Sequence, residues 1–201
     1  MMFVFDFDGT LVDSNRIKWD AFDRCFSEFP DRKEQIRAYC RANNHVMRGE
    51  KFRAVYERML GLPYTPEVEQ RLHRLFEAET TEAIAQAPEI PGASEFLRRV
   101  RSEHPTAILS STPHAILLQI LERRGWTVYF DLKQGAPVNK ADWLRGLRKL
   151  GHPPDQVLFF GDTPEDAQAA QEAGCRFVPV ANPDLSSGRG VLQDYREFPL
   201  P

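Results

Sequence analysis

Short apolar runs stand at the start of the chain and recur across its second half. They cover residues 2–7 (MFVFDF, apolar until Asp6), 107–109 (AIL), 157–160 (VLFF) and 177–180 (FVPV), with a weaker run at 128–130 (VYF). Runs without polar alternation are typical of strands that are buried on both faces of a parallel sheet. We therefore predict four core strands and a fifth, weaker one at 128–130.

Apolar residues at helical spacing separate these runs. One stripe contains Ile116, Leu117, Ile120 and Leu121, a second contains Trp143, Leu144, Leu147 and Leu150, and a small-residue face contains Ala167, Ala170 and Ala173. Thr112-Pro113 and Thr163-Pro164 each offer a helix cap followed by proline at the first helical position. Strands that alternate with helices predict an α/β fold with a doubly wound, Rossmann-like parallel sheet.

The stretch from about Ser14 to Pro88 has a different pattern, without a clear strand. Three sets of apolar residues keep helical spacing there: Trp19, Phe22, Phe26 and Phe29; Phe52, Val55, Tyr56, Met59 and Leu60; Val68, Leu72, Leu75 and Phe76. This pattern predicts a small helical bundle inserted after the first strand. We expect an α/β core of residues 1–13 and 91–201 and a helical insert of residues 14–90.

Composition and charge narrow the class of protein. The 201 residues are 42% hydrophobic and 27% charged, with a formal net charge of −3, so we expect no nucleic-acid partner. No run approaches the roughly 18 apolar residues of a membrane span, and the N-terminus lacks the pattern of a signal peptide. Three scattered cysteines fit neither a zinc site nor a disulfide framework. We expect a cytoplasmic protein, monomeric or weakly homodimeric, with no membrane partner.

The first apolar run ends in paired acids, Asp6-Phe7-Asp8-Gly9-Thr10. Two carboxylates two residues apart at the end of a strand point the same way, off the edge where open α/β sheets bind ligands. Because neighbouring anions repel, a compensating charge is needed, and a divalent cation with oxygen ligands is the obvious candidate. Gly9 would let the chain turn sharply and approach a ligand closely.

A second acidic pair follows the run at 157–160. Asp162 stands just after this run, and Asp166 lies in the first turn of the helix that Pro164 opens. We expect both carboxylates to face the same edge of the sheet as Asp6 and Asp8.

Two further motifs supply hydroxyl and ammonium groups. Ser110 and Ser111 follow the run at 107–109 and precede a predicted helix N-terminus, whose N–H groups together with a serine hydroxyl make a phosphate cradle. Lys140 lies just ahead of the Trp143 helix, where its ammonium would neutralise carboxylates and hold a phosphate oxygen; Lys133 is the alternative.

These motifs, taken together, carry a family resemblance. The sequence DFDGTLVD at 6–13, then Ser110, Lys140 and GDTPED at 161–166, resembles the four motifs of the haloacid dehalogenase superfamily of phosphatases in order and in spacing. The resemblance covers residues 1–13 and about 91–201. The helical insert is similar to the C1 cap of that family.

The resemblance implies a mechanism. Asp6 would be the nucleophile that forms an aspartyl-phosphate, and Asp8 the acid that protonates the leaving oxygen and then the base that activates water. Mg²⁺ would lie between Asp6, the backbone carbonyl of Asp8 and Asp162, with Asp166 assisting. Ser110 and Lys140 would hold the transferring phosphoryl oxygens.

The cap would cover the site and select the substrate. We predict substrate contacts for Gly9, Thr10 and Ser111 in the core, and for His45, Arg48 and Lys51 in a polar loop at 43–51. The expected substrate is a phosphorylated small molecule, with a sugar phosphate preferred over a phosphoglycolate-like acid.

Two other functions stay open from the sequence. A phosphomutase would return the phosphoryl group to another hydroxyl, but relatives of that kind usually carry Glu-Asp where this chain has Gly161-Asp162. A non-enzymatic binding module on the same fold is the other alternative. Such a module would be expected to have lost one of the acids, yet all four are present.

Overall fold

The computed structural model describes residues 1–43, 46–185 and 190–200. The chain divides into two compact units, one of Met1–Ser14 with Ala85–Pro201 and the other of Asn15–Ile84. Within the described residues, no helix is long and apolar enough to cross a membrane.

The elements alternate in the first unit and are helical in the second. The strands are β1 (Met2–Phe5), β2 (Thr106–Pro113), β3 (Leu132–Ala136), β4 (Val157–Gly161) and β5 (Arg176–Pro179). The helices are α1 (Asn15–Cys25), α2 (Lys33–Ala42), α3 (Arg48–Ala54), α4 (Pro66–Gln86), α5 (Ala93–Arg101), α6 (His114–Arg123), α7 (Lys140–Gly146) and α8 (Pro164–Ala173). A π-helical turn at Val55–Met59 continues α3.

The five strands form one parallel sheet in the order β3-β2-β1-β4-β5, as the doubly wound pattern predicts. β1 is central, and its Phe5 pairs with Ile108 on one side and with Phe160 on the other. The strand order reverses between β1 and β4, because β2 and β3 lie on one side of β1 whereas β4 and β5 lie on the other. The carboxyl ends of strands at such a reversal border the crevice where α/β proteins bind ligands.

Both faces of the sheet are buried, which explains the continuous apolar runs. Met2 and Val4 pack on one face with Phe159 and with the small residues Ala170 and Ala173 of α8. On the opposite face, Phe3 and Phe5 contact an aromatic cluster with Phe96, Phe160 and Tyr195. Each fully buried large side chain contributes about 1.5–3 kcal/mol, so the two faces hold β1 and β4 firmly.

Two expectations about strands and helices are wrong. Residues 127–129 form a 3-10 turn in which Val128 is exposed, and the fifth strand is β3 instead. β3 is an edge strand with the sequence LKQGA, only partly buried, so no apolar run marks it. Leu150 is also exposed, because a 3-10 turn replaces the α-helix after Gly146.

The two helix-start predictions have different outcomes. Thr163 caps α8 through a capping box with Asp166, and Pro164 is at the first helical position, as predicted. The Thr112-Pro113 prediction is wrong, because β2 extends through Pro113 and α6 begins only at His114. Thr112 is therefore a strand residue and does not cap α6.

The second unit is a helical bundle around an aromatic core. Phe22, Phe26, Phe52 and Phe76 pack edge to face with one another, and Leu72 is buried beside them. All five residues belong to the stripes predicted from helical spacing.

The polar loop predicted at 43–51 is wrong from Arg48 onward, because α3 begins there. Lys51 consequently lies on a helix and is only 5% exposed. Its ammonium is 4.6 Å from the centroid of the Phe22 ring. Burial lowers the pKa of Lys51 to about 8 from an ordinary value of 10.5.

We predict that Lys51 makes the stability of the protein depend on pH between about 8 and 10.5. Because its folded pKa is the lower one, the unfolded chain binds more protons across this window, so stability rises with pH. Lys51→Met removes the buried charge. We expect this variant to have a free energy of unfolding higher by about 1–3 kcal/mol at pH 7, and a smaller increase at pH 10.5. Urea unfolding at both pH values measures the difference.

Lys33→Met is the matched control, because it removes the charge of an exposed lysine in the same unit. Only the Lys51 variant should show the large increase in the free energy of unfolding at pH 7. An equal gain at pH 7 and pH 10.5 would show that the charge of Lys51 is not the cause.

Candidate active site

The segment after β1 places Asp6 and Asp8 at the carboxyl edge of the sheet. The N–H of Asp6 donates to the carbonyl of Phe160 at 2.8 Å, so pairing with β4 continues one residue beyond β1. Gly9 then takes a φ of +80°, a conformation that favours glycine, and its N–H donates to the Val12 carbonyl at 2.8 Å. The chain folds back on itself immediately after the two acids.

Three carboxylates converge at this edge. Asp6, Asp162 and Asp166 are buried, and one carboxylate oxygen from each lies within 4.8 Å of the others. The helix cap fixes the last of them, since the backbone N–H of Thr163 donates to Oδ2 of Asp166 at 3.2 Å in the capping box and the hydroxyl of Thr163 donates to the same oxygen at 2.7 Å. The local sequence of the helix start therefore orients a residue of the site.

Lys140 bridges two of these acids. Its Nζ donates to Oδ1 of Asp6 at 2.9 Å and to Oδ1 of Asp166 at 2.7 Å. The side chain of Asn139 caps α7, so Lys140 is the first residue of that helix. The alternative, Lys133, instead donates to the carbonyl of Phe130 at 2.6 Å.

The electrostatics of the cluster follow from burial and crowding. Burial raises the pKa of Asp6 to about 6, with a further rise from Asp166, although Lys140 opposes the change. Burial alone would lower the pKa of Lys140, but the carboxylates of Asp166 and Asp6 outweigh it and raise that pKa. Asp8 and Asp162 add two further carboxylates at the same edge, so negative charge accumulates around the ammonium of Lys140 in the described part of the chain. Convergent carboxylate oxygens with excess negative charge fit a hard divalent cation.

Asp8 is held by two hydroxyl groups. The Oγ of Ser14 donates to Oδ1 of Asp8 at 2.6 Å, and Oγ1 of Thr112 donates to Oδ2 at 2.8 Å. Neither donor is predicted from the sequence, since the pattern around Thr112 indicates a helix cap and Ser14 stands at the start of the helical insert. The signal for Thr112 is its period-two spacing from Ser110, which puts both hydroxyls on the same side of a strand.

Ser110 and Ser111 differ in their surroundings. Ser110 is buried, and its Oγ accepts the N–H of Thr112 at 3.1 Å, whereas Ser111 is exposed. Both belong to β2, so the expectation of a helix N-terminus directly after them is wrong. Contact of either serine with a phosphate stays a prediction.

Thr10 connects the first and last motifs. Its Oγ1 donates to Oδ1 of Asp162 at 3.1 Å, and its own carbonyl accepts the hydroxyl of Tyr195 at 3.0 Å. The backbone carbonyl of Asp162 accepts Nδ2 of Asn182 at 2.7 Å. Thr10 was predicted to contact substrate, but the structure places its hydroxyl on an acid of the cluster. Tyr195 and Asn182 were not predicted at all.

The predicted substrate residues of the insert lie in the second unit. Arg48 pairs with Glu77 at 2.8 Å and lies 5.0 Å from the Phe76 ring centroid, and Lys51 lies against Phe22. His45 lies outside the described residues. Substrate contact by these three residues stays a prediction.

Comparisons with known proteins agree with the motif pattern. The chain is 24% identical over 197 residues to the phosphorylated carbohydrates phosphatase of Thermotoga maritima, over 94% of this chain and 89% of the relative. It is 31% identical over 188 residues to the phosphoglycolate phosphatase of Cereibacter sphaeroides, over 87% of this chain and 82% of the relative.

A solved structure shares the fold. CbbY from Rhodobacter sphaeroides in complex with phosphate matches with a TM-score of 0.73 and 21% identity, over 98% of this chain and 95% of that chain. A family model described as haloacid dehalogenase-like hydrolase matches residues 1–174. The matched region contains all four motifs, from Asp6 to Asp166. The chain therefore belongs to the haloacid dehalogenase-like hydrolase family.

Proposed function

We propose that this protein is a phosphatase that hydrolyses a small phosphomonoester through an aspartyl-phosphate on Asp6. The observation that carries the proposal is the convergence of Asp6, Asp162 and Asp166 with the ammonium of Lys140 at one sheet edge. Asp8 stands two residues after Asp6 at the same edge. A nucleophile, an acid–base group and a set of charge-stabilising groups are thus available together.

In the first step a carboxylate oxygen of Asp6 attacks phosphorus, an O–P bond forms, and the bond from phosphorus to the leaving oxygen breaks. Asp8 donates a proton to that leaving oxygen. In the second step water attacks phosphorus, Asp8 takes a proton from the water, and the O–P bond to Asp6 breaks to release phosphate. Acid–base assistance of this kind contributes roughly 10²–10⁴-fold.

Two sets of contacts position Asp8 and Asp6 for these steps. Ser14 and Thr112 hold both oxygens of Asp8, which orients the acid relative to the leaving oxygen. Lys140 keeps one oxygen of Asp6 in place and opposes the repulsion from Asp166. Phosphoryl transfer needs mainly positioning and charge stabilisation, and both are supplied by fixed side chains.

Asp6, Asp162 and Asp166 would hold Mg²⁺, which when bound supplies positive charge that offsets the carboxylates and the phosphate. The oxygen-only donor set supports this choice over a zinc site.

We propose a sugar phosphate as the first substrate class and a phosphoglycolate-like acid as the second. The names of the two curated relatives support these classes, since one acts on phosphorylated carbohydrates and the other on phosphoglycolate. The net charge of −3 gives no support to a polyanionic macromolecule as substrate.

Gly161 favours hydrolysis over the phosphomutase alternative. A Cβ at this position would lie 2.5 Å from Cβ and 2.7 Å from Cγ of Asp166. Any shift of Asp166 away from this Cβ would break the bonds by which Thr163 and Lys140 hold its two oxygens. A glutamate, as in phosphomutase relatives, would therefore displace an acid of the cluster.

We predict that Asp6→Asn abolishes phosphate release, because an amide is not a nucleophile for phosphorus. The measurement is inorganic phosphate released from a panel of sugar phosphates, phosphoglycolate and nucleotides, with Mg²⁺ and with EDTA. The wild type should release phosphate only with Mg²⁺, and the best member of the panel identifies the substrate class. We expect a loss of at least about 10⁴-fold in kcat for the variant.

Asp13→Asn is the matched control, because Asp13 is an exposed acid in the same segment. It should retain activity. Equal activity of the wild type and Asp6→Asn would show that Asp6 is not the nucleophile. Release that occurs only with an added phosphorylated activator would identify a mutase.

We also predict that Gly161→Ala impairs the site more than it impairs the fold. The new methyl group overlaps Asp166, so we expect kcat to fall at least about tenfold and stability to fall by about 1–3 kcal/mol. Steady-state kinetics and urea unfolding measure the two effects.

Gly146→Ala is its control, because a Cβ there meets no atom within 4 Å at the end of α7. Alanine should be neutral or stabilising at that helical position by up to about 1 kcal/mol. Full activity of Gly161→Ala would show that the position of Asp166 tolerates displacement.

A further inference from the structure

The chain beyond β5 returns to the sheet and buries a tyrosine beside the site. The N–H of Leu192 donates to the carbonyl of Pro179 at 2.9 Å, and the N–H of Tyr195 donates to the carbonyl of Pro91 at 2.8 Å. Tyr195 is fully buried although it lies close to the C-terminus. The two bonds therefore attach the backbone of residues 192–195 to the end of β5 at Pro179 and to Pro91.

The Tyr195 ring packs where a phenylalanine would fit equally well. Its centroid is 5.2 Å from that of Phe96, 6.0 Å from that of Phe160 and 6.4 Å from that of Phe5. A hydroxyl at the end of such a ring must find a hydrogen-bond partner or lose its hydration without compensation. The partner is the carbonyl of Thr10 at 3.0 Å, so the one polar atom of the side chain is directed at the catalytic segment.

Thr10 transmits this contact to the acid cluster. The same residue that accepts the Tyr195 hydroxyl donates its own hydroxyl to Oδ1 of Asp162 at 3.1 Å. Two residues after β5 therefore hold Asp162. Tyr195 holds its carboxylate indirectly, through Thr10, and Asn182 donates directly to its backbone carbonyl at 2.7 Å. Groups that orient a ligating carboxylate in this way affect metal affinity.

We propose that Tyr195 is a positioning residue, which through Thr10 holds the Asp162 carboxylate in the orientation that binds the divalent cation. The inference rests on the proposed function, because it assumes that Asp162 is a cation ligand. The hydroxyl of Tyr195 donates to the backbone carbonyl of Thr10 and not to a carboxylate of the cluster. Its effect should therefore appear in cation affinity and not in substrate affinity.

Burial supports a constant donor role for Tyr195. Burial raises the pKa of its hydroxyl well above the ordinary value, and the nearby charges of Asp162 and Asp6 raise it further. The hydroxyl accordingly keeps its proton throughout the pH range in which the protein would be assayed.

The test measures the Mg²⁺ dissociation constant by calorimetry on the full chain without substrate, and then KM, kcat and the Mg²⁺ requirement of phosphate release. Tyr195→Phe keeps the ring and removes the hydroxyl; we expect Mg²⁺ binding to weaken about threefold or more, with KM unchanged at saturating Mg²⁺. Thr10→Val should weaken binding at least about tenfold, and Thr10→Ser should restore it. Tyr129→Phe removes a tyrosyl hydroxyl from the 3-10 turn at Thr127–Tyr129 and is the matched control.

The double variant Thr10→Val/Tyr195→Phe decides whether the two residues act in series. If Tyr195 acts through Thr10, the double variant binds Mg²⁺ about as weakly as Thr10→Val alone. Wild-type affinity in Tyr195→Phe, or a full multiplication of the two losses, overturns the proposal while leaving the phosphatase function intact. Absence of Mg²⁺ binding and of phosphate release in the wild type would overturn the proposed function itself, and the inference with it.

Discussion

Repulsion between buried carboxylates is the constraint on which the rest of this structure depends. Asp6, Asp162 and Asp166 lie within 4.8 Å of one another at one sheet edge, where low solvent exposure strengthens every charge interaction. Lys140 bonds to two of the three, and the raised pKa of Asp6 shows that one ammonium does not fully offset the burial. A site with this unmet charge attracts a divalent cation and, with it, an anionic phosphate.

The fold keeps these charges together because Asp6 and Asp162 directly follow the paired central strands β1 and β4, and Asp166 lies in the first turn of the helix after β4. β1 and β4 pair along their full length, and apolar layers cover both faces of the sheet. The first polar residue after each strand therefore has a defined position. Hydroxyl groups then orient three of the carboxylates: Ser14 and Thr112 bond to Asp8, Thr10 to Asp162 and Thr163 to Asp166. These hydroxyl donors are neutral. They orient carboxylates without adding positive charge beyond that of Lys140, and added positive charge would compete with a cation.

Much of the fold was predictable because its signals are local. Four of the five strands contain a continuous apolar run, and the helical stripes of the second unit reflect a core that each helix faces with one side. β3 could not be found in this way, since an edge strand is half exposed and the sequence LKQGA shows neither an apolar run nor alternation. The wrong start predicted for α6 has a similar origin: Thr-Pro marks a helix start only if the strand before it has already ended.

The sequence by itself predicted the acids and the lysine that meet at the sheet edge, because the motifs place acids at the ends of apolar runs and a helix cap at Thr163, and both signals depend on near neighbours. Only the tertiary structure decided how those residues are held. Thr10 meets Asp162 across 152 positions of sequence, and Tyr195 meets Thr10 across 185. Nothing in the local pattern around Tyr195 distinguishes its hydroxyl from that of any other tyrosine. The partner of a buried hydroxyl is set by the packing of distant segments, which is a property of the whole core and not of the residues beside it.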